Sequence, residues 1–142
     1  MAITQAVANS FKTEVLTAVH NFTATTGNTF KISLYTNSAT LSKSTTAYTT
    51  SQEVTGTGYT AAGNTLTSVT SVLSTDTAVC DFADTSWTSA TITARGALIY
   101  NNSASDKAVV VLDFGGDKTS TAGTFTIQFP AADASNAILR LA

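Results

Sequence analysis

Three apolar runs follow one another in the C-terminal half of the chain, at residues 97–100, 108–114 and 125–129. Short polar joints separate them at residues 101–106 and 115–123. The middle run contains consecutive valines, and the last run alternates large apolar residues with polar ones. These are the patterns of a strand covered on both faces and of a strand with one buried face. The sequence therefore predicts a meander of three neighbouring β-strands as the core.

A helical pattern is found near the N-terminus. Within residues 4–22, Val7, Phe11, Val15 and Val19 recur at steps of four and form one apolar stripe. This spacing predicts one amphipathic helix over about residues 4–22. Packing of this helix against a sheet is the favoured interpretation, and docking of the helix onto a partner subunit is the alternative.

The remaining segments predict further short strands. An alternating pattern predicts a strand at residues 29–36, and weaker patterns predict strands at residues 66–73, 78–82, 91–100 and 136–141. A turn near Thr75 joins two of them. Residues 37–51 are predicted as a long polar surface loop, or as two poor strands at an edge, and are a candidate for partner contacts. Strands at roughly ten-residue spacing are typical of a sandwich or barrel. We therefore expect a mostly β chain, an antiparallel β-sandwich with one N-terminal helix, in a single domain over residues 1–142.

Composition supports a β structure with a weakly charged surface. Charged residues make up 11% of the 142 residues, under half the usual share of about 25%. Ser and Thr together fill nearly a third of the chain, and Thr can face water from a strand without losing strand preference. The net charge is −2 and the seven basic residues are scattered, so nucleic-acid binding is not expected. Little surface charge opposes association with other proteins.

Motifs for catalysis, metals or cofactors are not recognisable. Cys80 lies in an apolar stretch and predicts a buried thiol, and His20 stands alone near the end of the predicted helix. The Gly56-Thr57-Gly58 triplet indicates backbone bends rather than a phosphate loop. Aspartates occur in two groups, which are interpreted as turn-stabilising residues rather than calcium ligands: Asp76, Asp81 and Asp84 in the first, and Asp113 and Asp117 in the second. A glycosidase pair among them stays open, because such carboxylates need not be neighbours in sequence, and nothing selects one pair.

Membrane and export signals are also not apparent. No apolar run approaches the roughly 18 residues that a membrane-spanning helix needs, and the start of the chain lacks a secretory pattern. We expect synthesis in a cytoplasm, without membrane partners.

Several blocks, taken together, resemble a known family. They are residues 2–12, 30–35, 53–63, 94–101, 112–116 and 125–130, with Gly56-Thr57-Gly58-Tyr59 at the centre of the third. This arrangement resembles small virion structural proteins of tailed bacteriophages, and the best match is the capsid cement, or decoration, proteins.

The resemblance implies a jelly-roll-like domain on the surface of the phage head, made in the host bacterial cytoplasm. Its partners would be the major capsid protein and copies of itself, as a dimer or trimer. No catalytic residue, metal or cofactor is implied. A tail fibre or another tail-associated receptor-binding protein is the alternative function, and a small wall-degrading hydrolase is a third class.

A cement protein requires contact residues, which we predict on the helix, on the loop of residues 37–51 and around Trp87. Trp87 lies in a Ser/Thr-rich connection, where a tryptophan either pins a loop to the core or anchors a partner. The candidate contact residues are Phe11, Lys12, Leu41, Tyr48, Tyr59 and Trp87.

Overall fold

The structure is a computed structural model that describes residues 2–142. These residues form one helix and eight strands in the order β1 (Ala6–Val7), α1 (Asn9–Leu16), β2 (Phe30–Tyr35), β3 (Asn64–Thr65), β4 (Thr70–Ser74), β5 (Thr77–Asp81), β6 (Thr85–Asn101), β7 (Lys107–Ile127) and β8 (Leu139–Leu141). The strands make two antiparallel sheets. The prediction of a mostly β chain with a helix near its N-terminus is confirmed.

A long hairpin of β6 and β7 occupies the centre of the larger sheet, whose strand order is β1-β7-β6-β2-β3. Its register runs from Thr85 opposite Ile127 to Asn101 opposite Lys107. Near the hairpin turn the side chains of both strands are buried on both faces, whereas farther away exposed positions alternate with buried ones. The consecutive valines thus lie in the part of the sheet that is covered on both sides.

The predicted meander of three strands is wrong, because the second and third apolar runs belong to the single strand β7. The predicted joint at residues 115–123 lies inside this strand and pairs with β6. Thr119 and Thr93 face each other across the pair with their hydroxyl oxygens 2.9 Å apart, and β-branched threonine favours extended backbone. Gly115 has a φ of +79°, which interrupts the extended backbone without ending the strand. The polar residues there mark solvent-facing positions of a strand.

The smaller sheet has the order β4-β5-β8. The predicted turn between its first two strands is confirmed, with Thr75 in the left-handed region at a φ of +57°. The three strands are shorter than or offset from their predicted ranges of 66–73, 78–82 and 136–141. Because β4 and β8 are the edges of this sheet, each has one side without a strand partner among the described residues.

Both sheets contribute to one hydrophobic core. The ring of Phe30 in β2 lies 6.0 Å from that of Phe82, which follows β5, and Phe82 lies 5.6 Å from Phe129. Cys80 and Leu139 of the smaller sheet belong to the same buried cluster. The two sheets are therefore packed through a shared interior, and the jelly-roll arrangement stays a prediction.

The helix is much shorter than the predicted residues 4–22. Before it, the chain is extended, and β1 pairs with Val110 and Val111 of β7. After it, Ala18 has a φ of +60°, a backbone conformation that an α-helix cannot contain. The following segment instead packs on the sheet, where Phe22 stacks on Phe30 with ring centroids 4.3 Å apart. The apolar spacing thus predicts the helix correctly for residues 9–16 only. The apolar residues before and after this range have the same spacing but are not helical.

Residues 37–51 form a loop, as predicted, that is tied to the rest of the chain by isolated bridges. Leu41 pairs with Ile3, and Ala47 pairs with Lys107 at the start of β7. The loop thereby runs from the end of β2 to the start of β7, and a further bridge just after the loop pairs Glu53 with Tyr35.

Candidate interaction surface

The six predicted contact residues have different environments. Phe11, Leu41 and Trp87 are buried within the chain, Tyr48 and Tyr59 are half-buried, and Lys12 is exposed. Trp87 lies in strand β6 rather than in a connection, and its ring packs between those of Tyr59 and Phe125, at 5.8 and 6.1 Å. Their contact with a partner stays a prediction, and Lys12 is the member with the greatest exposure.

Glu53 is buried at the centre of a polar cluster that sequence reasoning missed. Its carboxylate accepts hydrogen bonds from the hydroxyls of Tyr48 and Tyr59, both at 2.6 Å, and from the amide of Ala62 at 2.8 Å. The hydroxyl of Tyr59 also accepts a bond from the amide of Leu34 at 3.0 Å. The cluster therefore fastens the segment of residues 48–62 to strand β2.

The tyrosines of this cluster act as neutral donors. Burial raises the pKa of Tyr35 to about 12, and its hydroxyl donates to the carbonyl of Thr49 at 2.7 Å. Burial, together with the adjacent Glu53 carboxylate, raises the pKa of Tyr48 and of Tyr59. Since each hydroxyl already has a partner, this region is a closed internal brace rather than a reactive site.

His20 forms a second buried polar contact, between the helix region and the hairpin turn. The side-chain amide of Asn101 donates to its Nδ1 at 3.1 Å, and its Nε2 faces Glu14 at 3.5 Å. The orientation of this amide is fixed, because its nitrogen also donates to Asn28 and its oxygen accepts from the amide of Ser103. Burial lowers the pKa of His20, in agreement with an Nδ1 that must accept a hydrogen bond.

The remaining candidates for chemistry have structural roles. Cys80 is buried as predicted, and burial raises its pKa to about 12, which disfavours a reactive thiolate. Asp84 accepts from the amide of Phe129 at 2.8 Å, and Asp113 accepts from the amide of Gly115 at 2.9 Å, as expected of aspartates that fix the backbone. Within residues 2–142, no three side chains of His, Cys, Asp or Glu are grouped as metal ligands would be. None of the helical structure in that range is long and apolar enough to traverse a bilayer.

An open apolar groove lies between the helix and the smaller sheet, and we call it the α1 groove. It has a volume of about 440 Å³. One wall is the apolar side of α1 with the flanking residues of its neighbouring segments, and the other is formed by β5 and β8. The residues that line it are Val7, Phe11, Lys12, Val15, Leu16, Phe22, Ser71, Ala78, Val79, Cys80, Leu139, Arg140 and Leu141.

Large apolar side chains are exposed at the mouth of the α1 groove. Leu16, the last residue of α1, is 81% exposed, and Leu141 of β8 is 59% exposed. A third leucine, Leu73, is 72% exposed and lies in register with Ala78, which in turn is in register with Leu141. Residues directly opposite each other in antiparallel strands share one face. An apolar strip therefore continues from the groove across the smaller sheet.

Exposed large apolar residues that are grouped in this way are typical of surfaces that bind another molecule. One partial signal for this surface is present in the sequence, because Leu16 lies beside the predicted apolar stripe of the helix. No such signal marks Leu141 and Leu73, whose proximity depends on the pairing of β8 with strands that are distant along the chain.

Comparisons with protein-family models, with curated proteins and with solved structures find no match to this chain.

Proposed function

We propose that this chain is a capsid cement protein of a tailed bacteriophage. It would bind the assembled head shell, bridge neighbouring capsomers and act as a β-sandwich scaffold, in contact with the major capsid protein and with copies of itself. The resemblance of the sequence blocks supports the virion assignment. The exposed apolar surface of the α1 groove supports a role in binding.

The single observation that carries the proposal is the exposure of Leu16 and Leu141 on a scaffold that is otherwise well packed. Both sheets share one buried core, and Glu53 and His20 have hydrogen-bond partners within it, so the exposure of these leucines does not result from a loosely packed interior. Transfer of each leucine from water into an interface contributes about 1.5–3 kcal/mol when burial is complete. This surface therefore offers binding energy without any rearrangement of the fold.

A cement protein stabilises a shell by mass action. Binding to the assembled shell but not to its separated subunits favours assembly by the free energy of binding. Many copies act together, so each contact can be modest while the shell as a whole becomes resistant to rupture. The small net charge of −2 is compatible with dense packing of many copies.

The test compares virions of the encoding phage with and without this protein. We expect virions that lack it to release their DNA at a lower temperature, which a DNA-binding dye reports during a heating ramp. Addition of purified protein should restore the original release temperature. Equal heat resistance of both kinds of virion would contradict the cement function.

Electron microscopy with a labelled copy distinguishes the head from the tail. Many labels over the head are expected for a cement protein, whereas a few labels confined to the tail would establish the alternative of a tail-associated protein. A Leu16→Ser/Leu141→Ser variant should fail to decorate the head. Val72→Ser is the matched control, because Val72 is 48% exposed but does not line the groove.

A further inference from the structure

The edge strand β4 of the smaller sheet is the most exposed strand among the described residues. Four of its five residues are exposed, and within residues 2–142 it has a strand partner on one side only. Two of the four large apolar side chains that are exposed in this range belong to it, Val72 and Leu73. Successive side chains of a strand lie on opposite faces, so each face of β4 presents one exposed apolar side chain.

The other open edges are short or irregular. β1 and β3, at the edges of the larger sheet, have two residues each, and β8 has three. The outer side of β7 has no strand partner beyond β1 among the described residues, but Gly115 and Ala122 interrupt it with positive φ values. Asp117 and Lys118 add charge there. Short length, irregular backbone and charge all hinder the pairing of an edge with another chain.

None of these three features protects β4. It is one of the longer edges, its five residues are extended, and the whole segment of residues 54–75 is uncharged. Its open side therefore remains able to accept a further strand.

The hydrogen bonds between β4 and β5 determine which backbone groups of β4 are free. A turn of two residues connects these strands, so the flanking pair, Ser74 and Thr77, exchanges backbone hydrogen bonds. Bonded and non-bonded pairs alternate along an antiparallel ladder. The amides and carbonyls of Ser71 and Leu73 are therefore directed away from β5, toward the open side. The group that satisfies such a row of donors and acceptors is another extended backbone.

We infer that two copies of this chain associate through β4, and that the two β4 strands pair antiparallel about a two-fold axis at Val72. In this register Ser71 of each copy lies opposite Leu73 of the other, so the free amides and carbonyls of both copies bond to each other. The axis is perpendicular to the sheet, and the same face is therefore continuous across both copies. The two smaller sheets become one sheet with the strand order β8-β5-β4-β4-β5-β8.

The side chains of β4 identify a second copy as the occupant. The two Val72 side chains lie directly opposite each other on one face, and the two Leu73 side chains are diagonal neighbours on the other. One added strand thus covers both exposed residues, whereas a molecule that docks on a single face covers only one. Asp76, the nearest charged residue, falls opposite Ser68 of the other copy, so like charges do not meet. The edge is self-complementary, as a two-fold contact requires.

The contact between the two strands is small. Strands of this length span about 17 Å, and their pairing buries less than the roughly 1,200–2,000 Å² of a standard stable interface. We therefore expect self-association at about 0.1 mM and above, and stronger association where a shell holds many copies side by side. The inference deepens the proposed function, in which copies of the chain contact one another, and it rests on that function only for its biological setting.

Disulfide formation tests the register. Cys80 is the only cysteine of the chain and is buried, so an engineered cysteine reports alone. In Val72→Cys the two opposed Cα atoms should be about 4.5 Å apart, within the range of about 4.4–6.8 Å that a disulfide needs. Thr70→Cys is the matched control on the same face, because its counterpart in the other copy is displaced by about 13 Å along the strand. With oxidised glutathione, Val72→Cys should form a covalent dimer and Thr70→Cys should remain monomeric.

Analytical ultracentrifugation of the reduced protein measures the self-association itself. Leu73→Lys places charges of the same sign near the centre of the contact and should weaken association more than about tenfold, and its exposed position should leave the fold intact. Leu141→Lys is the matched control, because it adds the same charge to the same face at β8 and should leave association unchanged. Val72→Ser keeps the paired backbones and adds no charge, so it should weaken association far less than Leu73→Lys.

Equal cross-linking of Val72→Cys and Thr70→Cys, or a protein that stays monomeric at about 1 mM, would overturn the inference. Growth beyond the dimer, or association that Leu141→Lys abolishes, would also overturn it, because a two-fold contact through β4 closes at two copies and does not use β8. If β4 pairing is established while the protein is absent from the head, the proposed function fails and the inference stands. If the protein decorates the head without β4 pairing, the inference alone fails.

Discussion

The Glu53 cluster and the α1 groove differ in what their side chains contact: those at Glu53 bind one another, whereas Leu16 and Leu141 at the groove are exposed to solvent. At Glu53, two tyrosine hydroxyls and a backbone amide converge on one carboxylate, and the cluster is closed from within. At the groove, Leu16 and Leu141 extend into solvent beside a cavity that no side chain of the described residues fills. A closed set of buried hydrogen bonds thus characterises the frame around Glu53, although the buried Nε1 of Trp87 has no partner within residues 2–142, and exposed apolar area characterises the face that we assign to binding.

Substitutions in these two regions should therefore affect different quantities. Changes within the frame act on the free energy of unfolding, because they leave buried groups without partners. Changes at the exposed leucines of the groove, Leu16 and Leu141, act on association, because these side chains have few internal contacts to lose.

Val110→Asp should prevent folding. Val110 is buried between Val7 of β1 and Ile99 of β6, where a carboxylate would have no partner. Burial of an isolated charge costs several kcal/mol or more, which is comparable to the whole net stability of about 5–15 kcal/mol of a typical domain. Circular dichroism should show loss of the β signal, and the control Val110→Ala should fold with a loss of about 2 kcal/mol. A stable Val110→Asp protein would mean that the centre of β7 is misplaced.

Glu53→Ala should be the next most severe change. It removes the acceptor of three hydrogen bonds, and each buried donor left unsatisfied costs about 1–3 kcal/mol. Because Tyr48 and Tyr59 are half-buried and can regain water, we expect a total loss near the lower end, about 3 kcal/mol, in urea denaturation. Glu53→Gln keeps one acceptor oxygen and should lose less. If Glu53→Ala and Glu53→Gln are equally stable, the hydrogen bonds of Glu53 do not stabilise the segment of residues 48–62.

The contrast between the two regions also separates what the sequence could reveal from what it could not. Alternation in residues 29–36 and 125–129 predicts extended backbone correctly at β2 and at the end of β7, because successive side chains of a strand lie on opposite faces. In β2 the second face, with Ser33 and Tyr35, is buried as well, which the alternation does not reveal. The joint at residues 115–123 was misread, since threonines in an exposed strand have the same polarity as a turn. The end of the helix was misread because Phe22 keeps helical spacing while it packs on Phe30 from outside the helix.

The candidate site was the least predictable part. Glu53 and its donors are close in sequence, but nothing local indicated that the carboxylate is buried. The α1 groove joins the N-terminal helix to β8, which is far from it along the chain, so its two walls come together only in the folded protein. Lys12 and Phe11 were predicted as contact residues from the helix alone. Their neighbours across the groove depend on tertiary structure.

A smaller effect is expected from pH, through His20. Burial lowers its pKa in the fold below the unfolded value of about 6.5, so the unfolded chain binds the proton first. The contribution of His20 to the free energy of unfolding is therefore fully present above pH 6.5, and it is lost as the pH falls through that value toward the folded pKa. Glu14, whose pKa is lowered by hydrogen bonds from Lys107 and His20 despite its desolvation, adds a further loss only near pH 4.5 and below.

The measurement is the urea midpoint between pH 7.5 and 5. The wild-type midpoint should decline over this range by less than the change caused by Glu53→Ala. His20→Gln is the matched variant, because its amide can accept from Asn101 and donate to Glu14 without taking up a proton. The midpoint of this variant should be nearly constant over the same range. A decline as steep as that of the wild type would assign the pH dependence to other groups.

The smallest effect on the free energy of unfolding should come from truncating the two exposed leucines of the groove, Leu16 and Leu141. Leu16→Ser and Leu141→Ser should each change the free energy of unfolding by no more than about 0.5 kcal/mol, because exposed side chains lose little on truncation. Phe11→Ala, on the buried side of the same helix, should cost about 3–5 kcal/mol in the same urea titration. A loss above about 1.5 kcal/mol for either serine variant would show that the leucine packs internally. The groove would then belong to the frame, and the division of the molecule into a closed scaffold and an open binding face would fail.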